Sequence, residues 1–277
     1  MNKFHHKSIA MKTRILAIII LASFLELAFV SRPLENEYTR LKIVDYKVFS
    51  KGEKLKYLAH YGVLNAGEAT VEISNSSHYV NGEMTTKIIG KGYSTGAFDF
   101  FFKVRDSYIT YMNANTLEPS RFVRHVDEGG FVFDQEYNFD HSKQQVITEK
   151  HDTVSVPIGI QDLVSAYYYA RSIDLDHYKI GDVLTFKAFV DGKIEPIRIK
   201  YIGKETIKIK SGKYRCFKFQ PIVQSGRVFK DPDDLIVYIS DDKNRIPVLI
   251  EAKVIVGSVK LELMTTERLT HPLAKVK

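Results

Sequence analysis

Residues 54–73 decide the fold class. Lys54–Tyr61 reads K-L-K-Y-L-A-H-Y, and after a turn at Asn65-Ala66-Gly67, Glu68–Ile73 reads E-A-T-V-E-I. Leu55, Tyr57, Ala59 and Tyr61 fall on one face of an extended chain, with Lys54, Lys56 and His60 on the other. In the next segment Ala69, Val71 and Ile73 oppose Glu68, Thr70 and Glu72. This is the alternation of antiparallel strands with one buried and one wet face. Ile197, Ile199 and Tyr201 repeat it against Arg198 and Lys200. So do Ile207 and Ile209 against Lys208 and Lys210, and Val259, Leu261 and Leu263 against Lys260 and Glu262.

Turn signals separate these runs. Asn81-Gly82, Glu128-Gly129-Gly130, Asp191-Gly192 and Ser211-Gly212 carry residues that accept positive φ. Many short strands at this spacing predict a mainly β protein, an antiparallel sandwich or an open curved barrel. One segment departs from the pattern. Leu163, Ala166, Tyr167 and Ala170 recur at helical spacing behind Asp162, a suitable N-cap, with Arg171 in the last turn. A single central helix is expected over about 162–173, with Tyr167 on its apolar stripe and Tyr168 and Tyr169 reaching toward an edge.

The chain also echoes itself. Residues 52–59 (G-E-K-L-K-Y-L-A) resemble 181–188 (G-D-V-L-T-F-K-A) at an offset of 129. Ile109–Met112 before Pro119 resembles Ile236–Ile239 before Pro247. Two similar β units, 45–156 and 178–270, follow from this, joined by a linker and helix over 157–177 and packed as one domain. The alternative is that β meanders simply resemble one another.

The N-terminus reads as an address. Met11–Arg14 is basic and Ile15–Leu25 is an uncharged apolar run, the pattern of a secretory signal. That run is short against the ~20 apolar residues of a membrane span. Residues 1–30 are therefore expected to be a signal peptide, with an uncleaved anchor as the alternative. The only cysteine is Cys216, so no acylated cysteine follows the run, and an exported, periplasmic or envelope-associated protein that is not a lipoprotein is expected.

Of the 277 residues, 44% are hydrophobic and 26% charged, which excludes a disordered or collagen-like chain. Removing residues 1–30 takes away Lys3, Lys7, Lys12, Arg14 and Glu26, so the net charge of +7 falls to +4. The basic residues are spread along strands, so no nucleic-acid footprint is read. There is no P-loop, G-x-G-x-x-G, H-E-x-x-H or C-x-x-C. No catalytic residues, metal ligands or cofactor are assigned. His60, His125 and His151 are scattered, and Cys216 reads as a small buried hydrophobe.

The most distinctive local feature is Phe98-Asp99-Phe100-Phe101-Phe102, behind Gly90, Gly92 and Gly96. Read as a strand, it either exposes aromatics on one face or is buried on both. Exposed apolar patches mark contacts with ligands, partners or membranes. Phe98, Phe100, Phe101, Phe102, Tyr167 and Tyr168 are the candidate ligand-binding residues.

G-E-K-L-K-Y at Gly52–Tyr57, Tyr61-Gly62, Ala66–Ala69, Asp106-Ser107-Tyr108, T-L-E-P-S-R-F around Pro119, the helix Asp162–Arg171 and I-S-D-D-K-N-R-I-P-V at Ile239–Val248 occur in this order. In them the chain resembles the exported bacterial family catalogued as domain of unknown function 3108, over about residues 45–268. The resemblance implies export and a β-rich fold, distantly like the open barrels that carry lipids or lipoproteins across the periplasm, and assigns no activity or site residue. Three functions remain open: non-enzymatic binding of an apolar ligand such as a lipid, a ligand-free role in assembly with an envelope protein partner, and hydrolysis of an envelope polymer.

Overall fold

The computed structural model describes residues 41–223, 229, 231, 233–255 and 257–277. The expected leader, residues 1–30, lies outside them. In chain order the described elements are β1 (Lys54–Tyr61), β2 (Leu64–Val80), β3 (Glu83–Ser94), α1 (Gly96–Phe101), β4 (Arg105–Asn113), β5 (Pro119–Glu128), β6 (Phe131–Asp140), β7 (Gln145–Thr148), β8 (Thr153–Ser155), α2 (Leu163–Ser172), β9 (Val183–Val190), β10 (Lys193–Ile209), β11 (Gly212–Pro221), β12 (Leu235–Ser240), β13 (Pro247–Lys253), β14 (Ser258–Glu267) and β15 (Lys275–Val276).

All the strands belong to one antiparallel sheet, ordered β8-β7-β6-β5-β4-β3-β2-β1-β14-β13-β12-β11-β10-β9, with β15 beside β11. The N-terminal strand and the last long strand are neighbours at its centre. Tyr57 of β1 faces Ala69 of β2 on one side and Leu263 of β14 on the other. The alternation of β1 follows its sequence from Leu55 to Ala59, with Leu55, Tyr57 and Ala59 all buried, and breaks at the register shift after Ala59, where His60 is buried and Tyr61 only half-buried.

A twisted sheet of this length curls, and here its two ends come together. The β9–β10 hairpin lands on β5 and β6. Arg124 Nη2 lies 2.5 Å from Asp191 Oδ1, the Gly192 amide donates to the Tyr137 hydroxyl at 3.1 Å, and the Tyr137 and Phe189 rings meet edge-on at 4.9 Å. Gln161 stitches the free edge of β9. Its amide donates to Lys187 O at 3.0 Å and its carbonyl accepts from the Phe189 amide at 2.7 Å. Of the two architectures expected, the chain adopts the open curved barrel. Its other edge strand, β8, has only three residues.

The two halves of the sheet have matching dimensions. β1 and β9 each have 8 residues, starting at 54 and 183. β2 and β10 each have 17, starting at 64 and 193, and β3 and β11 start at 83 and 212. β6 and β14 each have 10, starting at 131 and 258.

α2 lies inside the curl. Asp162 caps it: Oδ1 accepts from the Val164 and Ser165 amides at 2.7 and 2.8 Å, while Ser165 Oγ accepts from the Asp162 amide at 2.8 Å. This reciprocal pair satisfies donors that would otherwise be orphaned at a helix start. Because the sheet wraps it, no residue of α2 is fully exposed. Tyr168 and Tyr169 are buried rather than turned toward an edge as their spacing suggested. Tyr167 is the more exposed of the three.

Two further expectations are corrected. Phe98–Phe102 is not a strand. Most of it forms α1, a second, short helix started by the turn at Thr95 and Gly96 (φ +57). A helical turn puts residues i and i+4 on one side, so Phe98 and Phe102 pack inward while Phe100 and Phe101 point out. His60 is not on a wet face either. It is buried 3.2 Å from Glu262, because the β10–β11 turn covers that face. There the Lys210 amide donates to Glu262 Oε1, and Ser211 Oγ donates to Leu263 O at 2.6 Å.

Candidate functional site

The concave face of the sheet is not completely filled by α2. Among the described residues it leaves two small apolar clefts, and the Tyr167 ring lines both. The first, about 90 Å³, lies between α2 and β9–β12, with Leu184, Ile199, Phe219, Val237 and Ile239 as its apolar wall. The second, about 50 Å³, lies between α2 and β1–β4, against Tyr57, Val71, Gly90 and Tyr108. The pairs Thr70 and Ile199, and Gly90 and Phe219, sit at the same distance from the start of their strands in the two halves.

Charged side chains line the first cleft at one place. Arg171 and Arg245 stand together at the end of α2. Arg171 is already committed. Its guanidinium grips Glu53 (Nη1–Oε1 2.5 Å, Nη2–Oε2 2.9 Å), Nε donates to Asn244 O at 3.0 Å, and the Tyr168 ring lies 5.0 Å away. Burial raises the Tyr167 hydroxyl to about 12, so it is a neutral phenol at any physiological pH. The same cause holds the Cys216 thiol up at about 12.

The candidate residues read from sequence divide into three places. Tyr167 lines the clefts. Tyr168 is packed into the core beneath them. Phe98–Phe102 line neither cleft and sit at one rim of the sheet. There Phe100 and Phe101 are 87% and 79% exposed. Val63 and Leu64 on the β1–β2 turn, Phe131 and Val132 on the β5–β6 turn and Ile255 on the β13–β14 turn are also exposed. The order of strands makes these four tips successive neighbours along that rim. Phe102 anchors the set, lying so close under Gly129 that a Cβ there would sit 2.4 Å from its Cε2.

Other clusters are engaged. His125 pairs with Asp134 at 2.7 Å on the exposed outer face. A wider polar cleft of about 340 Å³ lies at the opposite rim beside Asn81, Glu83 and His141. There the His141 ring bonds Pro119 O at 2.7 Å, and Asp140 accepts from Ser142 and Lys143. Among the described residues no three His, Cys, Asp or Glu side chains group to hold a metal, and no helix is long and apolar enough to cross a membrane.

A long antiparallel sheet curled around one buried helix, with apolar clefts left on its inner face, defines a β-barrel-like protein. The structure is similar to a β-barrel-like protein of domain of unknown function DUF1849 from Brucella abortus, with a TM-score of 0.54 and 11% identity over 80% of this chain and 99% of that one. It is more distantly similar to a DUF1089 family protein from Pseudomonas aeruginosa, with a TM-score of 0.36 and 7% identity over 76% and 95% of the two chains. The chain belongs to the family described as Protein of unknown function (DUF3108), whose model matches residues 56–264. No curated protein is significantly similar to it in sequence.

Proposed function

We propose that this is an exported envelope protein that binds an apolar chain, such as the acyl chain of a lipid, without chemical turnover. The observation that carries this reading is the pair of apolar clefts flanking Tyr167. A well-packed interior leaves few voids larger than a water molecule, and two here open on the same side chain. Ligand pockets usually span roughly 300–1,000 Å³. The clefts are far narrower, so they suit one chain rather than the body of a two-chain lipid. Export is proposed from the basic and apolar pattern of residues 11–25. The matching strand lengths support a duplicated origin of the two halves, each supplying one cleft wall.

Native mass spectrometry of protein purified from the periplasm without detergent, followed by solvent extraction, tests this reading. A reproducible bound apolar mass is expected, and it identifies the ligand class. A clean apo mass, together with no uptake of added fatty acids or lysolipids, overturns it.

A second reading, recruitment of an envelope partner without a ligand, is favoured by the exposed rim. Strand addition is not the natural mode, since β8 is short and β9 is stitched by Gln161. The hairpin tips are the better surface. Phe100→Asp with Phe101→Asp should leave the fold intact, because both side chains are exposed. Under this reading, capture of an envelope partner is lost in that variant. Under the first, the bound apolar mass is unchanged by it.

A further inference from the structure

Arg245 is out of place by every ordinary rule for a charged residue. It is only 5% exposed, yet no carboxylate lies within ion-pair distance of it among the described residues. Among the described residues its side chain makes one hydrogen bond, from Nη1 to the carbonyl of Ile173 at the end of α2. Its ring neighbour is Tyr46, 5.9 Å away. Its backbone sits at φ +49, a left-handed conformation that suits Gly or Asn better than Arg. Of the acids on this side of the molecule, Glu53 is taken by Arg171, Asp174 by Lys42, and Asp242 by the amides of Asn244, Arg245 and Ala274, while Asp176 is exposed to solvent. A buried guanidinium without a counter-charge is costly. The Arg245 side chain lines an otherwise apolar cleft, whose other cation, Arg171, is already neutralised.

We propose that Arg245 receives the head of an anionic amphiphile, a long-chain carboxylate, whose alkyl chain lies along Ile199, Phe219 and Val237. This rests on the apolar-chain reading and names its ligand class. A guanidinium offers a planar fork of donors that matches a carboxylate, and among the described residues only one Arg245 donor is engaged. The ligand anion would supply the missing counter-charge, and the apolar wall would bury the chain. A neutral lipid would leave Arg245 uncompensated, and a cationic amphiphile would be repelled.

The test is calorimetric binding of three probes of equal chain length to the full protein: decanoate, 1-decanol and decyltrimethylammonium. Decanoate is expected to bind at least about tenfold more tightly than decanol, the size of one charge-assisted hydrogen-bonded pair, and the cation most weakly. In Arg245→Gln the ratio should fall to near one. Equal affinity for decanoate and decanol in the wild type overturns the anion site and leaves the apolar-chain reading standing. No binding of any probe overturns both. A preference for decanoate that survives Arg245→Gln places the head elsewhere and overturns the assignment. If Arg245→Gln does not fold, decanoate labelled with ¹³C at its carboxyl decides. A bound carboxyl that stays ionised well below its free titration range supports the pair, and one that titrates in or above that range refutes it.

Discussion

The Arg171 guanidinium, at the last turn of α2, and the Glu53 carboxylate, at the foot of β1, face each other with both side chains sealed from solvent, 1% and 0% exposed. The pair ties the enclosed helix to the central strand of the sheet across 118 residues of sequence. Removing one member of such a pair leaves a buried charge, at a typical cost of about 3–5 kcal/mol. Arg171→Met and Glu53→Leu should each lower stability by that order in urea unfolding. The double replacement Glu53→Leu with Arg171→Met should recover much of the loss, because it leaves no orphaned charge. A double variant as unstable as the sum of the singles would mean that the pair contributes no coupling.

Gly129 and Phe102 form a second coupled pair, at the rim. Gly129 has φ +55, and a Cβ on it would collide with the Phe102 ring. Gly129→Ala therefore suffers both backbone strain and overpacking, about 1–3 kcal/mol. In a Phe102→Ala background the collision is gone and only the backbone part of the cost should remain. Thermal unfolding of the four proteins in the cycle measures that difference. Equal costs of Gly129→Ala in both backgrounds would show that the ring is not the obstacle.

The strands were legible because alternation is a local property. Leu55, Tyr57 and Ala59 announce their face without knowledge of the partner strand. The enclosed face of the barrel was not. Asp106, Thr110 and Arg124 fall in phase with the buried positions of β4 and β5, and all three are buried. A polar residue in an apolar phase is a signal that sequence carries, but its partner is not, because Asp162 and Asp191 come from distant elements. Phe98–Phe102 was misread because four aromatics within five residues suit either period. The choice was made by the turn at Gly96 and by Asp99, which bonds Arg105 at 2.7 Å. Arg245 left no local trace, since its isolation is a property of what fails to pack beside it.

Asp162 links pH to the helix. Burial pushes its carboxyl up to about 6, even though Thr110 Oγ1 donates to Oδ2 at 2.5 Å and two amides bond Oδ1. A folded value above the unfolded one means that the native state binds the proton more tightly. The stabilisation is full below about pH 4 and is lost as pH rises to about 6, a change of about 3 kcal/mol. Asp162→Asn keeps an oxygen for the Val164 and Ser165 amides, and Asn caps helices as well as Asp does. This variant should remove that part of the pH dependence and match or exceed the wild type in stability at pH 7. Urea midpoints at pH 4, 5, 6 and 7 check it, and an unchanged slope in Asp162→Asn would assign the titration to another group.

Tyr167 decides whether the two clefts act as one. Its ring lines both, packs edge-on against Tyr168 at 4.9 Å and sits 5.4 Å from the Arg171 guanidinium. It is thus a wall braced from behind, and truncating it should open a path from Ile199 on one side to Val71 on the other. Tyr167→Ala removes a partly exposed ring, so its stability cost should fall at or below the lower end of the ~3–5 kcal/mol typical of fully buried aromatics. Its effect on ligand length should be larger. In the wild type, affinity for saturated fatty acids should level off once the chain fills the first cleft. In Tyr167→Ala it should keep rising for several more methylenes, at up to about 0.8 kcal/mol for each CH₂ newly buried. Tyr167→Trp, with a larger ring in the same place, should move the plateau to shorter chains. Calorimetric titration of a chain-length series against the three proteins reads the plateau directly. If it stays at the same length in all three, Tyr167 does not separate the clefts, and the chain follows another course along the concave face.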